Sequence, residues 1–244
     1  MPSVEWGPEI ASVYDATYAY EAVPDVLDPM VAMLEELAGG GRVLEFAVGT
    51  GRVALALSAR GVDVHGIELS PHMLDRLRAK ANADVVHAVL GDMTTTRVPG
   101  EFSLVYLVAN TIMNVTTQDE QIAVFENAAR HLVPGGCFVL QLIVPQLRRV
   151  PLSEQGWVFT MSPDHVGIET FDDTVGQIAW SHHWIEADGR LVHHAAPYRY
   201  VWPSELALMA RLAGFRLRDR WADWHRNPFA SDSPSQVVVF EKAG

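Results

Sequence analysis

The residues of this sequence best suited to chemistry are a glycine-bearing turn and two carboxylates that follow it. The turn lies in RVLEFAVGTGRVALAL, residues 42–57, where the apolar run 43–46 precedes Gly49 and Gly51. Apolar residues then recur with helical spacing, so we predict a buried strand, a tight turn and a helix. The first backbone N–H groups of such a helix are unpaired, and glycine lets a ligand approach them. The turn is therefore typical of a site for a nucleotide-like ligand.

Two acidic residues stand at the ends of the next two predicted strands. Glu68 ends the second strand, where an acid can accept hydrogen bonds from ribose hydroxyls. Asp92 follows the third strand and could accept a hydrogen bond from an adenine amine, while Met93 packs against the ring. A lone glycine turn can be purely structural, but a turn and two acids at one sheet edge favour nucleotide binding.

Composition and charge argue against several classes of function. The 244 residues are 49% apolar with a mean hydropathy of +0.08, which indicates one globular domain with an embellishment. The net charge of −12 opposes nucleic-acid binding, because phosphate backbones require basic patches. Since we find neither a membrane-length apolar run nor the pattern of a signal peptide, we expect a cytoplasmic protein that binds no membrane. The single Cys137 allows no disulfide and no cysteine metal site.

Periodic patterns indicate the elements that would position these residues. Five apolar strands alternate with helices, which predicts a mostly parallel, right-handed, doubly wound α/β sheet. Ser70 is a predicted helix N-cap, and Thr117–Glu120 is a capping box. The last two strands have no helix between them and should pair antiparallel. The predicted strands are 43–46, 62–69, 85–90, 102–109, 137–144, 215–223 and 236–242.

A hairpin pattern follows the fifth strand. The segments 175–186 and 190–202 are strand-like and flank Asp188-Gly189, a strong hairpin signal. A two-residue loop places His183 opposite His194, whereas a three-residue loop would shift the register. The resulting antiparallel ribbon is either a wall of a substrate pocket or an interface or lid without chemistry. On the face with His183 and His194 we expect Ser181, Tyr198 and Tyr200, and on the other Trp180, His182, Trp184, His193 and Val201.

Polar and aromatic residues at the same sheet edge complete the candidate site. Asn110 and Asn114 follow the fourth strand, so they are candidates to contact both cofactor and substrate. Tyr14, Tyr18 and Tyr20 precede the first core element. Such an arm is either a lid over the ligand or aromatic packing at a terminus.

As a set, these motifs resemble the class I S-adenosylmethionine-dependent methyltransferases. The matching stretches are VLEFAVGTG for the glycine motif, GIELSPHML for the ribose acid, GDM for the adenine acid and ARHLVPGG before the fifth strand. They cover roughly residues 14–144, and the terminal strand pair extends the match. Within the family the chain looks most like enzymes of actinomycete natural-product pathways, that is, of secondary metabolism. Amino-sugar N-methyltransferases and N-terminal methyltransferases of short ribosomal peptides are examples, and NTIMNVTTQDEQ and WPSELALMARLAGFRL resemble the latter.

The resemblance implies a Rossmann-like seven-stranded sheet with an antiparallel last strand and the hairpin inserted after the fifth strand. It implies S-adenosyl-L-methionine as cofactor and S-adenosyl-L-homocysteine as product. Tyr14 would reach the carboxylate or amine of the cofactor, and Ala47 stands where the family usually has glycine. The implied cofactor site comprises Tyr14, Glu45, Ala47, Gly49, Gly51, Glu68, Leu69, Met73, Asp92, Met93 and Asn110. The expected substrate contacts are Tyr18, Asn114, Tyr198 and Tyr200.

The expected reaction is methyl transfer to N or O of a small metabolite or short peptide. Because the sulfonium is an activated donor, the site must mainly align the acceptor, exclude water and accept a proton. Alignment can lower the activation free energy by roughly 7 to 11 kcal/mol. His183 and His194 are the candidate bases, since imidazole titrates near neutrality. No third ligand accompanies them at metal-site spacing, so we expect no metal.

The expected organisation is an N-terminal lid arm at 1–23, a cofactor-binding core at 24–150 and 203–244, and the substrate-side ribbon at 151–202. One alternative is an NAD-type dinucleotide-binding oxidoreductase, which should carry a third glycine where this chain has Ala54. Another is a cofactor-binding module without turnover. The acceptor, the methylated atom, the pocket-lining face of the hairpin and the oligomeric state, with a homodimer as one alternative, stay open.

Overall fold

Two β-sheets organise the residues that the computed structural model describes, namely 6–146, 154–187 and 189–244. The larger sheet contains β1 (Val43–Phe46), β2 (Val64–Glu68), β3 (Val86–Leu90), β4 (Phe102–Leu107), β5 (Leu132–Ile143), β10 (Phe215–Trp221) and β11 (Ser235–Lys242). The smaller contains β6 (Gly156–Met161), β7 (His165–Asp173), β8 (Ile178–Ala187) and β9 (Arg190–Arg199). The described α-helices are α1 (Pro8–Thr17), α2 (Pro24–Ala38), α3 (Arg52–Ser58), α4 (Pro71–Arg78), α5 (Gln118–His131) and α6 (Pro203–Leu212).

The larger sheet has the predicted doubly wound arrangement. Its strand order is β10-β11-β5-β4-β1-β2-β3, and neighbouring strands from β1 to β5 are parallel. The strand β11 pairs antiparallel with both β5 and β10, as expected for the end of the chain. Because β1 lies between β2 and β4, the strand order reverses there, and ligands of such sheets bind outside the carboxyl ends at that point.

Helices cover both faces of the larger sheet, which explains its continuous apolar strands. Val43 of β1 packs into a buried cluster with α2, α3 and α4, whereas Leu44 and Phe46 pack with α5 and α6 on the other face. Strands of a parallel sheet buried on both faces are expected to be apolar throughout. In the described residues no helix is long and apolar enough to cross a membrane.

The predicted helix caps form, but several strand ends differ from prediction. The Ser70 hydroxyl accepts a hydrogen bond from the Met73 N–H at 3.3 Å, and Thr117 accepts one from the Glu120 N–H at 3.2 Å. β4 stops at Leu107, short of the predicted residue 109, because two residues with positive φ follow it. β5 begins at Leu132 instead of residue 137, and the glycines expected to separate helix and strand lie within it. The other differences are small: β2 spans 64–68 instead of 62–69, β3 starts at 86 instead of 85, β5 ends at 143 instead of 144, β10 ends at 221 instead of 223, and β11 starts at 235 instead of 236.

The inserted segment is larger than the predicted hairpin. β8 and β9 pair as expected, with His183 opposite His194, and the Ala187–Arg190 pair leaves a two-residue loop. The predicted loop residue Asp188 lies outside the described residues. β6 and β7, which the sequence interpretation missed, extend this hairpin to the four-stranded sheet β6-β7-β8-β9. The division into a lid arm, a core and an inserted ribbon stays a prediction.

The two hairpin strands are shorter than predicted. β8 begins at Ile178, because the residues from 174 to 177 form the turn after β7. β9 ends at Arg199, so Tyr200 and Val201 follow the strand. Val201 was expected on the face of the ribbon opposite His183 and His194. It is instead buried in the hydrophobic core to which α6 contributes.

Gly51 is expected to be required for packing, and Gly61 provides a matched control. Their φ angles are +83° and +85°, so alanine carries a similar backbone strain at both positions. A Cβ at Gly51 would lie 2.3 Å from Leu77 Cδ1, whereas nothing lies within 4 Å of one at Gly61. Gly51→Ala should therefore lose roughly 1–3 kcal/mol more unfolding free energy than Gly61→Ala in urea titrations of the free protein. Equal losses would contradict this packing role.

Candidate active site

A cavity of about 500 Å³ lies at the carboxyl ends of β1 to β4, between the larger sheet and the four-stranded sheet. This volume is within the usual range for small-molecule sites, and the position is the switch point of the sheet. Most predicted site residues line it: Tyr14, Tyr18, Ala47, Gly49, Glu68, Leu69, Met73, Asp92, Met93, Asn110, Asn114, His183, His194, Tyr198 and Tyr200. The face of the hairpin that carries His183 and His194 is thus the one that lines the cavity. The ligand atoms that these residues would contact stay predictions.

Glu68 organises the glycine turn at the floor of the cavity. One carboxylate oxygen accepts a hydrogen bond from the Gly49 N–H and the other from the Ser70 N–H, both at 2.8 Å. Burial raises the pKa of Glu68, and these N–H groups counteract that shift. Each oxygen keeps a further lone pair, so the carboxylate has the capacity to accept ribose hydroxyls as well.

Ala47 adopts a conformation that explains the glycine usual in the family. Its φ is +53°, in the left-handed region where a Cβ costs roughly 1–2 kcal/mol. Its side chain nevertheless lines the cavity beside Gly49. The sequence thus departs from the family pattern at a position whose backbone conformation favours glycine.

Asp92 is the acid at the end of β3. Its Oδ1 accepts hydrogen bonds from the N–H and the hydroxyl of Thr94, both at 2.7 Å. We find no hydrogen bond to its Oδ2 from the described residues, so this oxygen is available to a donor such as an adenine amine. Met93 beside it is 8% exposed, and its carbonyl accepts a hydrogen bond from the Asn127 amide. The residues could therefore hold an adenine ring at this edge.

Two predicted cofactor residues, Glu45 and Gly51, lie outside the cavity lining. Glu45 is 4% exposed and accepts a hydrogen bond from the Tyr106 hydroxyl at 2.8 Å, which joins β1 to β4. Burial raises the pKa of Glu45 to about 8. Gly51 is the N-cap of α3. Glu45 and Gly51 therefore belong to the support of the glycine turn and not to the cavity wall.

Asn110 lines the cavity but uses its oxygen within the fold. Its Oδ1 accepts a hydrogen bond from the Ile143 N–H at 2.7 Å, which fixes the turn after β4 to β5. Its φ of +63° is a conformation that asparagine tolerates better than most residues. The amide nitrogen is the group left to donate toward a ligand.

The N-terminal segment lies over the glycine turn. Asp15 of α1 accepts a hydrogen bond from the Thr50 hydroxyl at 2.6 Å and pairs with the Lys80 ammonium at 2.8 Å. These contacts hold α1 so that Tyr14 and Tyr18, with ring centroids 4.7 Å apart, line the cavity. Burial raises the pKa of both phenols, so they remain neutral donors near pH 7.

The two predicted bases face each other on the four-stranded sheet. His183 lies with Nε2 2.7 Å from the Ser181 hydroxyl and Nδ1 2.9 Å from His165 Nε2. The pKa of His183 is lowered to about 4, mainly by burial and to a smaller extent by the neighbouring His165, His194 and His182. Burial also lowers the pKa of His194. Both rings are neutral at pH 7. A general base acts best with a pKa near the working pH, so the low pKa of His183 argues against it as the group that keeps the proton after the transfer.

Further cavity residues come from the strands that the sequence interpretation missed. Glu169 of β7 accepts a hydrogen bond from Trp157 Nε1 at 2.6 Å. Burial, and then the negative charge of Glu169, raise the pKa of the nearby Tyr198 phenol. Phe159 of β6 and Phe171 of β7 add aromatic walls. The alternating pattern of HVGIETFDD was the available signal for β7.

The cavity is acidic. Its described lining contains four carboxylates and neither lysine nor arginine. One of the four, Glu21, pairs with Arg52 at 2.6 Å. The other three are Glu68, Asp92 and Glu169, so the site is suited to ligands with positive charge.

A group that could hold a metal ion lies elsewhere in the described residues. Ligand atoms of Asp63, His65 and His87 are all within 4.8 Å of one another. They lie near the amino-terminal ends of β2 and β3, opposite the cavity. The Arg42 guanidinium lies 2.6 Å from His65 Nε2 and 3.2 Å from Asp63 Oδ2, so a cation already occupies this position.

Comparison with known proteins identifies what the chain is similar to. A family model described as "Methyltransferase domain" matches residues 43–136. The CcbJ methyltransferase from Streptomyces caelestis, a solved structure, superposes with a TM-score of 0.84 and 34% identity, covering 100% of both chains. The cypemycin N-terminal methyltransferase of a Streptomyces species is 28% identical over 240 residues, 95% of this chain and 98% of that protein.

A third relative matches about half of the chain. The dTDP-3-amino-3,4,6-trideoxy-alpha-D-glucopyranose N,N-dimethyltransferase of Streptomyces venezuelae is 30% identical over 138 residues, 54% of this chain and 56% of that protein. Neighbours in fold include structures with S-adenosylmethionine or sinefungin bound. These matches favour the methyltransferase over the oxidoreductase alternative.

Asp92→Asn should weaken the binding of S-adenosylhomocysteine, because an amide replaces the oxygen that would accept the adenine amine. A hydrogen bond to a charged acceptor contributes roughly 1.5–3 kcal/mol, so we expect a tenfold to hundredfold rise in Kd by titration calorimetry. Asp84→Asn, in the exposed 3-10 turn before β3, should leave Kd unchanged. Equal affinities of Asp92→Asn and Asp84→Asn would refute the adenine role.

Proposed function

Because the chain belongs to the S-adenosylmethionine-dependent methyltransferases, we propose that it transfers the methyl group to an aliphatic amine of a small molecule or short peptide. The observation that carries this proposal is the charge of the acceptor side of the cavity. We assign Glu68 to the ribose and Asp92 to the adenine, while Glu21 is paired with Arg52. Glu169 is then the lining carboxylate that faces the acceptor.

The surroundings of Glu169 suit an ammonium group. Trp157 donates a hydrogen bond to it, and Tyr198 and Phe171 also line this part of the cavity. A cation among aromatic faces is stabilised by their quadrupoles, and a carboxylate beside it adds charge-assisted hydrogen bonds. The same carboxylate would repel a carboxylate at the reacting position of the acceptor. An amine as the reacting group thus fits this wall better than an anionic one.

The activities for which two relatives are named support the same class of acceptor. One acts on a peptide N-terminus and the other on an amino sugar. Both acceptors present an aliphatic amine, although they differ in size and shape. We therefore propose the reacting group and leave the rest of the acceptor open.

In the proposed mechanism this chain mainly aligns the reactants. When bound, the cofactor would supply an electrophilic methyl group; the amine nitrogen would bond to its carbon, and the electron pair of the broken S–C bond would stay on sulfur. Glu68, Asp92 and the turn at Gly49 fix the donor, while Glu169 and Tyr198 orient the amine. Tyr14 and Tyr18 cover the site and exclude water. His183 and His194 remain the candidate groups for the proton that the amine loses.

A panel of matched acceptors tests the proposal. We expect the purified protein and S-adenosylmethionine to add one or two methyl groups to a dTDP-amino sugar, to a short peptide with a free N-terminus, or to both. The hydroxyl analogue of the sugar and the N-acetylated peptide should remain unmodified by mass spectrometry. Methylation of the hydroxyl or acetylated analogues alone would contradict the proposal. Cofactor binding without transfer to any acceptor would favour a module without turnover.

Glu169→Gln should raise the KM for the amine acceptor roughly tenfold to a hundredfold, because the neutral amide cannot pair with the ammonium. The amide oxygen can still accept the Trp157 hydrogen bond, so the wall should keep its shape. The KM for S-adenosylmethionine should not change. Asp172→Asn, on the same strand but exposed, is the control and should behave as wild type. An unchanged acceptor KM in Glu169→Gln would rule out the anchoring role.

A further inference from the structure

A row of three polar side chains connects the cavity to a second one. The Ser181 hydroxyl lies 2.7 Å from His183 Nε2, and His183 Nδ1 lies 2.9 Å from His165 Nε2. Ser181 and His183 line the main cavity, whereas His165 lines a neighbouring cavity of about 370 Å³. Each gap is a hydrogen-bond distance, so the row is continuous from one cavity to the other.

Strand pairing brings these residues together. His183 of β8 pairs with Gly167 of β7, which places His165 two residues away on the same face of the sheet. The two imidazoles stack with centroids 5.2 Å apart and planes at 20°. A Cβ at Gly167 would lie 2.3 Å from the Phe159 ring, which itself packs on His183. A glycine at this position therefore lets the aromatic wall and the histidine pair coexist.

The second cavity leads to solvent. Residues of α1 line one side, and the exposed Asp164 and Glu186 line the other. Tyr20 lines both cavities and so lies between them. The two carboxylates give the outer end of the row a negative potential, which favours the arrival of a proton there.

We propose that Ser181, His183 and His165 form a proton relay that carries the proton lost by the amine acceptor from the main cavity to the second cavity. This relay rests on the proposed function, because an aliphatic ammonium must lose a proton before its nitrogen can attack a methyl group. The row uses no oxidant and no further cofactor. It gives Ser181 and His165 a role in the reaction, although neither was a candidate base.

The proton transfers balance at each group. Ser181 Oγ takes the proton of the ammonium and passes its own to His183 Nε2. His183 passes its Nδ1 proton to His165 Nε2, and His165 passes its Nδ1 proton to water in the second cavity. Each residue is neutral before and after, and each imidazole proton has moved to the other ring nitrogen. Tautomer exchange between turnovers restores the starting arrangement.

The charge states of the two rings agree with this path. Burial lowers the pKa of His183 and of His165, so both are neutral at pH 7. A neutral imidazole offers one donor and one acceptor nitrogen, as each position of the row requires. Two imidazolium rings in contact would have no acceptor between them.

The first test needs no acceptor. We would bind S-adenosylhomocysteine to ¹⁵N-labelled protein and measure by NMR the exchange of the His183 imidazole N–H with water. We expect at least tenfold slower exchange in His165→Leu than in wild type, because leucine fills a similar volume without a proton carrier. His193→Leu, on the opposite face of the same sheet, should exchange as wild type. Equal rates in His165→Leu and wild type would overturn the relay.

The second test uses an amine acceptor that the wild-type protein methylates. His165→Ala should lower kcat at least tenfold with both KM values unchanged, and free imidazole should restore much of the loss through the vacated space. His193→Ala should keep the wild-type kcat. A lower kcat that imidazole does not restore would assign His165 a structural role and overturn the relay. If wild type methylates no amine, the proposed function fails, while the NMR comparison still decides the relay.

Discussion

The site depends on the hydrogen bonds that the Glu68 carboxylate accepts from Gly49 and Ser70. They tie the turn after β1 to the start of α4, so the two neighbouring strands end in one rigid edge. A buried carboxylate requires such partners, since its charge loses the solvation of water. The backbone adds one more anchor on the adjacent strand, since the Val48 N–H donates to the Ile67 carbonyl at 3.0 Å. Glu68, the acid predicted to bind ribose, thus also stabilises the turn when no ligand is bound.

The two sheets contribute different parts of the site. The carboxyl edge of the larger sheet supplies short, backbone-rich turns that suit a constant cofactor. The four-stranded sheet supplies side chains from four strands that suit a variable acceptor, including the aromatic residues around Glu169. A wall of this kind can change its side chains without disturbing the cofactor edge. This separation is one physical reason why relatives with a common fold act on different amines.

The sequence predicted the cofactor edge far better than the acceptor wall. The turn at Gly49 and the acids Glu68 and Asp92 belong to local motifs, whose strand and helix periods are visible in any short window. The hairpin register was also predictable, because Asp188-Gly189 fixes it locally. By contrast, β6 and β7 flank the turn signal Ser162-Pro163-Asp164, and Gly167, Glu169 and Thr170 interrupt the apolar residues of β7.

Glu169 shows why the acceptor wall was not predictable. No motif surrounds it, and it becomes a candidate only when β7 pairs with β8 and places it opposite Ser181. His165 likewise becomes a candidate only because its Nε2 lies 2.9 Å from Nδ1 of His183, a residue 18 positions away in the sequence. A dry cavity aligns the methyl acceptor, yet the same desolvation lowers the pKa of the imidazoles that face it. A histidine whose pKa is too low for it to keep a proton can still transfer one. Desolvation of the cavity and removal of the proton are therefore compatible only where a second group, here His165, connects that histidine to water.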